Sequence, residues 1–332
     1  MEKISIAVLG DGGWGTALAV LLSKKGFKVC LWSAFPTYAD FLKKDRINNK
    51  FLPGIKIPRE VKITHDLNEA VKGRQLIILA IPSQFLRGVL RQLKKISLSM
   101  EVSFLSVTKG IEVGSLKRMS EVINEELGNI KLAVLSGPTI AHEIAKEIPS
   151  AAVIASTKAH IRRHLQEIFS TERFRIYTNA DLIGVELGGS LKNIIAIACG
   201  ISDGLGFGTN TKAAILTRGL AEISRLGSAM GAKVKTFSGI SGLGDLVTTC
   251  ISSYSRNRFV GEQIAKGKTI TRIQRHMQMV AEGIPTTRST YALAKKYKVD
   301  MPITREVYFV LYKNKFPFKA VRDLMTRKKK EE

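Results

Sequence analysis

Short apolar runs separated by polar, helix-favouring stretches fill the first half of the chain. Ile4 to Leu9, Lys28 to Trp32, Val61 to Thr64, Leu76 to Ile81, Val102 to Val107 and Leu132 to Leu135 read as strands. The uninterrupted Leu76-Ile77-Ile78-Leu79-Ala80-Ile81 has the pattern of a parallel strand buried on both faces. Helical patterns fall between the runs: Thr16 to Lys25 follows the first, and Ala159 to Phe169 separates two further strands at Ala151 to Ala155 and Arg173 to Thr178. Strands alternating with amphipathic helices predict a doubly wound sheet. From Ala180 onward strand signals nearly vanish, and long helical patterns take over at Leu182 to Cys199, Lys212 to Met230, Arg258 to Lys266, Thr287 to Tyr297 and Val307 to Tyr312.

The first strand ends in Gly10-Asp11-Gly12-Gly13-Trp14-Gly15, where Gly10, Gly12 and Gly15 stand at G-x-G-x-x-G spacing. The first glycine allows a tight turn, the second lets backbone approach a pyrophosphate, and the third lets helix and strand pack closely. The amides at the start of the next helix suit an anion. The chain therefore reads as an α/β protein, with an N-terminal Rossmann-like doubly wound sheet over residues 1–185 that binds a dinucleotide. An all-helical C-terminal domain over residues 186–332 would bind substrate and carry the catalysis. Ligands of such sheets lie beyond the carboxyl ends of the strands, so Pro82-Ser83, Lys109 and Gly137 to Thr139 converge on the cofactor edge. An acid after the second strand usually bonds the ribose hydroxyls of NAD, and a nearby Arg takes the extra phosphate of NADP. This chain has Ser33-Ala34 there, and neither choice is written.

Composition adds a bias toward anions. Fifty-two Lys and Arg against 28 Asp and Glu give a formal charge of +24, which suits nucleic acid, acidic membranes or phosphorylated small molecules. The basic residues are dispersed, without aromatic interleaving, which argues against a dedicated nucleic-acid reader. Their clearest run, Arg327-Lys328-Lys329-Lys330, reads as a solvated tail. Cys30, Cys199 and Cys250 form no C-x-x-C pair, so neither a disulfide framework nor a zinc site is expected, and a reducing cytoplasm fits. No apolar run is read as reaching transmembrane length, so a soluble, unprocessed protein without an integral membrane segment is expected.

Four places could carry chemistry. Lys192 lies in Gly188-Gly189-Ser190-Leu191-Lys192-Asn193, almost bare of other charge. It reads either as a snorkelling surface residue or as a general base in a partly dry cleft. Asp245 follows a glycine-rich turn, either as a plain helix N-cap or as a delivered carboxylate. Ser255-Arg256-Asn257 is either a helix cap or a phosphate site, and Lys109 either a solvated loop residue or a second cation. The five histidines show no metal-ligand spacing, and no metal is expected.

Taken in order, GDGGWGTA, FLPG, TKG, SGPTIAHE, GVELGGSLKNIIAIACGISDG, RGLAE, GLGDLVTTC, SRNR and MVAEG resemble the bacterial NAD(P)-dependent glycerol-3-phosphate dehydrogenases over nearly the whole chain. The resemblance implies interconversion of sn-glycerol 3-phosphate and dihydroxyacetone phosphate with NAD or NADP, in a cytoplasmic homodimer that supplies glycerol 3-phosphate for phospholipid synthesis. It implies Lys192 as proton acceptor, with Lys109, Gly137, Thr139, Asp245, Ser255, Arg256 and Asn257 around the substrate. Besides Gly10, Gly12 and Gly15, the positions matching cofactor contacts are Gly13, Trp14, Phe51, Lys109, Ala141, Arg256, Val280 and Glu282. Three departures stand out. Asp11 replaces a common Ala and could repel phosphate unless it points away. Ser33-Ala34 replaces a common His or Arg, and Lys212 replaces a common Arg.

Overall fold

The computed structural model describes residues 4–329 and 331; Lys330, within the basic run, lies outside them. Among the described residues one sheet of eight strands forms: β1 (Ser5–Leu9), β2 (Lys28–Trp32), β3 (Lys62–Thr64), β4 (Leu76–Leu79), β5 (Ser103–Ser106), β6 (Lys131–Ser136), β7 (Ser150–Ala155) and β8 (Phe174–Asn179). Their order is β3-β2-β1-β4-β5-β6-β7-β8. With them go helices α1 (Gly13–Lys24), α2 (Pro36–Asp45), α3 (Leu67–Val71), α4 (Ser83–Leu93), α5 (Met119–Leu127), α6 (Ala141–Ala145) and α7 (Ala159–Phe169). All eight strands coincide with the apolar runs. Alternate residues feed two core layers: Ile6, Val8 and Ile78 pack with Leu18 and Leu22, whereas Ala7, Leu9 and Ile77 pack with Leu86 and Leu90. Burial on both faces is why the central runs are continuous, whereas β8 at the sheet edge alternates buried Phe174 and Ile176 with exposed Arg175 and Tyr177.

Every neighbouring pair is parallel except β6 with β7, where Val134 faces Ala155 and Ser136 faces Val153. Residues 137–149 include only the five-residue α6, and the chain re-enters the sheet from the end at which β6 left it. Strand β1 lies between β2 and β4, so the winding reverses there and leaves a crevice beyond its carboxyl end.

The chain divides into two compact units. The first comprises the residues up to Lys109 together with Lys117–Glu186, and the second Gly110–Leu116 with the chain from Leu187 on. The second is helical: most of α8 (Leu182–Gly204), then α9 (Thr209–Ala229), α10 (Val234–Phe237), a π-helical turn (Ile240–Gly244), α11 (Asp245–Ile251), α12 (Arg256–Ala265), α13 (Ile270–His276), α14 (Gly283–Lys296), α15 (Pro302–Tyr312) and α16 (Pro317–Met325). Buried hydroxyls hold 110–116 to this unit: Ser190 Oγ donates to Gly110 O at 3.3 Å, and Ser289 Oγ to Ile111 O at 3.2 Å.

Helix α8 corrects one expectation. Its 23 residues are long and apolar enough, at a mean hydropathy of 1.5 over the most apolar window, to cross a membrane by composition alone. That window is 83% buried within the protein, so its apolarity serves a helix enclosed by other helices. Its glycines allow close backbone crossings. A Cβ on Gly200 would stand 1.9 Å from Arg258 O in α12, and one on Gly188 would stand 2.6 Å from Ser241 O in the π-helical turn. The basic run is corrected in part. Arg327 is half-buried, with Nη2 2.7 Å from Asp300 Oδ2, whereas Lys328 and Lys329 are exposed.

Candidate functional site

In the first unit the glycine turn is built by backbone. Gly10 has φ +117°, and a Cβ there would meet Ala80 O at 2.5 Å; a Cβ on Gly15 would meet Gly10 O at 1.9 Å. Gly12, in contrast, has nothing within 4 Å of its would-be Cβ, and it caps α1 without any side-chain hydrogen bond. The backbone at Gly12 thus has room beside it at the start of α1, which suits the approach of a pyrophosphate. Gly13 would meet Phe51 O at 2.5 Å and the Ala141 side chain at 3.8 Å, which gathers three of the positions matched to cofactor contacts. Trp14 packs beside Ala141 on a small core of Ala17, Val20, Leu52, Ile55 and Ala145, and its Nε1 is buried without a partner among the described residues. These residues fit a bound dinucleotide.

Asp11 points away from the open face of the turn. Its Oδ2 accepts from Ser33 Oγ at 2.6 Å, at the carboxyl end of β2. Asn48 Nδ2 donates to Asp11 O and to Thr16 Oγ1, each at 2.7 Å, while Tyr38 Oη donates to Asn48 Oδ1 at 2.6 Å. Burial raises the Asp11 carboxyl above its ordinary range, and the Ser33 hydrogen bond offsets part of that. Burial also pushes the Tyr38 phenol up to about 12, with the charge of Asp11 adding to the shift. Sequence patterns had singled out neither Asn48 nor Tyr38, because nothing local marks a residue as the back wall of a turn some 30 positions away.

Lys109 follows β5 and its Nζ donates to Gly137 O at 2.9 Å and Thr139 Oγ1 at 3.3 Å. The structure thus brings together Lys109, Gly137 and Thr139 within the first unit. Gly137 has φ +142°, and a Cβ there would press to 3.0 Å on the Cα of Ala152. Thr108 Oγ1, donating to Ile81 O at 2.7 Å, fixes the loop that carries Lys109.

In the second unit Lys192 is 6% exposed in the middle of α8. Its Nζ donates to Asp245 Oδ1 and, at 2.6 Å, to Thr249 Oγ1, whose own hydroxyl donates to Asp245 O at 2.7 Å. The snorkelling reading of Lys192 does not hold, because the charge ends on a buried carboxylate. Asp245 is likewise no N-cap. Gly244 occupies that place, and the Asp245 side chain, 1% exposed, turns to Lys192. The signal that could have found Thr249 is its i+4 spacing from Asp245, which puts both on one face of α11.

Ser255 is an N-cap, accepting from Arg258 N at 3.2 Å. Asn257 Nδ2 donates to Asn193 Oδ1 at 2.9 Å, and Asn257 Oδ1 accepts from Gly283 N at 2.9 Å, so this amide ties together α8, α12 and the start of α14. Arg256 is exposed, with Nη1 donating to Val280 O at 2.9 Å, and Glu282 acts on it electrostatically. Lys212 sits 2.7 Å from Asp203 Oδ1 while Arg258 Nε takes Asp203 Oδ2 at 2.6 Å, so a point charge serves where a fork is common. The three cysteines are free and buried, and the described residues contain no cluster of three His, Cys, Asp or Glu able to hold a metal.

Comparison with known proteins agrees with both halves. The N-terminal model of the NAD-dependent glycerol-3-phosphate dehydrogenases matches residues 5–162, and its C-terminal counterpart matches residues 181–322. The chain is 50% identical over 330 residues to a glycerol-3-phosphate dehydrogenase dependent on NAD(P)+ from Prosthecochloris aestuarii, covering 98% of this chain and 99% of that relative. Among solved structures, glycerol-3-phosphate dehydrogenase from Coxiella burnetii superposes with a TM-score of 0.94 at 40% identity, covering 98% of this chain and 99% of that one. The enzyme from Saccharomyces cerevisiae gives 0.81 at 30%, with 98% and 99% covered. With both family models matched in order along nearly its whole length, the chain belongs to the NAD-dependent glycerol-3-phosphate dehydrogenase family.

Proposed function

We propose that the chain interconverts sn-glycerol 3-phosphate and dihydroxyacetone phosphate with Lys192 as its proton carrier. The observation that carries this reading is the buried Lys192 ammonium held between Asp245 and Thr249. A bound nicotinamide dinucleotide, NAD or NADP, supplies or accepts the hydride at C2. The charged, paired form of Lys192 is the one that donates a proton to the C2 oxygen in the reductive direction, and in the oxidative direction the lysine must first release its proton. Asp245 favours the charged form, so its task is to orient Lys192 rather than to abstract the proton itself.

The substrate phosphate falls to Arg256 and to the first-turn amides of α12, with the Ser255 O–H and the second Asn257 Nδ2 hydrogen as further donors, since the cap uses Ser255 Oγ as an acceptor and the tie uses one amide hydrogen. Lys109, with Gly137 and Thr139, supplies a further cation and hydrogen-bonding groups for the substrate. Gly10, Gly12, Gly13, Trp14, Gly15, Phe51 and Ala141 take the dinucleotide, with Val280 and Glu282 contributing beside Arg256. The protein works as a cytoplasmic homodimer that provides glycerol 3-phosphate for phospholipids, a reading supported by the family resemblance.

The test mixes the protein with dihydroxyacetone phosphate and NADH or NADPH. Loss of nicotinamide absorbance is expected, and no loss with either nucleotide would sink the proposal. Light scattering checks the dimer.

A further inference from the structure

We propose that Asp11 is the ribose-selecting acid of this chain and that it gives NAD(H) preference over NADP(H). This rests on the dinucleotide reading above. In sheets of this kind, the adenine ribose is read at the carboxyl end of the second strand, by an acid for the free 2′-hydroxyl or by an Arg for a 2′-phosphate. After β2 this chain reads Ser33-Ala34-Phe35-Pro36, which carries no charge. The structure fills the gap from the neighbouring strand. Gly10 N donates to Trp32 O at 3.1 Å, which joins the ends of β1 and β2, and the next side chain, Asp11, reaches across to Ser33 Oγ at 2.6 Å. A carboxylate thereby stands at the β2 end without being encoded there.

Its position is held from behind. Ser33 is fully buried, and Asn48 fixes the Asp11 carbonyl together with Thr16. Ser33 uses only part of the acceptor capacity of a carboxylate, which has about four lone-pair sites, so a ribose hydroxyl can still donate to it. A 2′-phosphate has no proton to donate in its dianionic form and would bring about 1.5 to 2 negative charges beside a buried acid. The cation that reaches Asp11 electrostatically is Lys50, a single charge whose Nζ lies over the rings of Phe51 (4.9 Å to the centroid) and Tyr38 (5.6 Å). One exposed lysine does not reproduce the bidentate Arg site that a 2′-phosphate usually finds.

The experiment measures dissociation constants of NADH and NADPH by the fluorescence of the bound nicotinamide at fixed ionic strength, with thermal melting as a check on folding. NADH is expected to bind at least about tenfold more tightly than NADPH, because the 2′-phosphate meets the Asp11 carboxylate unfavourably. Asp11→Asn is expected to narrow that ratio mainly by strengthening NADPH. Asp11→Ala, which places the side chain common in the family, gives the same reading should the amide variant not fold. Equal or tighter binding of NADPH by the unaltered protein overturns the proposal. So does an unchanged ratio in a folded Asp11 variant. A Lys50→Ala variant that loses NADPH selectively would also overturn it, by assigning a 2′-phosphate to that lysine. If neither nucleotide binds, the dinucleotide reading itself fails; if both bind and turn over with equal affinity, only the role of Asp11 does.

Discussion

The turn around Gly10 to Gly15 and the cluster around Lys192 are built in opposite ways. The turn is a backbone object, in which absent side chains do the shaping: Gly15 can be nothing larger because Gly10 O would lie 1.9 Å from its Cβ. The Lys192 cluster is a side-chain object, with a lysine on α8 meeting a carboxylate and a hydroxyl on α11, more than 50 positions away. Phosphate groups are recognised by amides that every residue possesses, so the local chain need only clear space for them. Moving a proton needs one particular ionisable group, and that group needs a partner to hold it. A backbone site should therefore fail through folding and nucleotide binding, and a side-chain site through turnover in the molecules that remain folded, although an Asp245 left buried without Lys192 also costs stability.

The sharpest break in this comparison is Lys192→Ala. On the proposed role of Lys192 as proton carrier, its loss is expected to lower kcat by about 10²- to 10⁴-fold while the affinity for NADH stays within a few-fold, read by steady-state kinetics and fluorescence titration. If Asp245→Asn abolished turnover while Lys192→Ala kept most of it, the two roles would have to be exchanged.

A stability effect in the same unit should leave chemistry alone. Glu222 of α9 accepts from Ile303 N, Thr304 N and Thr304 Oγ1 at the start of α15, and burial lifts its carboxyl to about 7, above the ordinary 4.5. The folded state holds this proton more tightly than the unfolded chain, so its contribution is full below about pH 4.5 and is lost as pH rises through about 7, by up to about 3 kcal/mol. Glu222→Gln is expected to flatten this part of the pH–stability curve, measured by denaturant unfolding between pH 5 and 8, with kcat per folded molecule retained.

Gly15→Ala tests the other region. Forcing a methyl group against Gly10 O is expected to cost about 1–3 kcal/mol of stability and to weaken both nucleotides together, as calorimetry and titration would show. A variant that kept full stability but lost turnover would contradict the backbone character of this site. The smallest effect is expected from Thr249→Val, which removes one of the hydrogen bonds holding Lys192 and should lower kcat by about tenfold or less. Its pH profile should shift while nucleotide affinity does not; an unmoved profile would leave Thr249 with packing alone.

Much of this was legible along the chain. Buried runs such as Leu76 to Leu79 announce themselves because a strand covered on both faces holds few polar residues, and the glycine spacing announces a tight turn. Lys192 stood out because charge is rare inside an apolar helix. Its partner could not be chosen from local pattern, since Asp245 after a glycine has the same signature whether it caps a helix or faces a lysine. The antiparallel β7 and the enclosure of α8 depended likewise on where the chain returned.

What the sequence by itself determined was the inventory: a doubly wound sheet, a helical second unit, a dinucleotide turn and a set of basic and acidic residues suited to a phosphorylated substrate. These follow from periodicity and from steric rules that act over a few residues. What the tertiary structure decided was pairing, because hydrogen bonds and ion pairs join residues far apart in the chain. Only folding shows that Lys192 ends on Asp245 and Thr249, that the Asn257 amide bridges Asn193 and Gly283, and that Asp11, which looked like an obstacle in a phosphate turn, leans onto Ser33 at the end of the next strand.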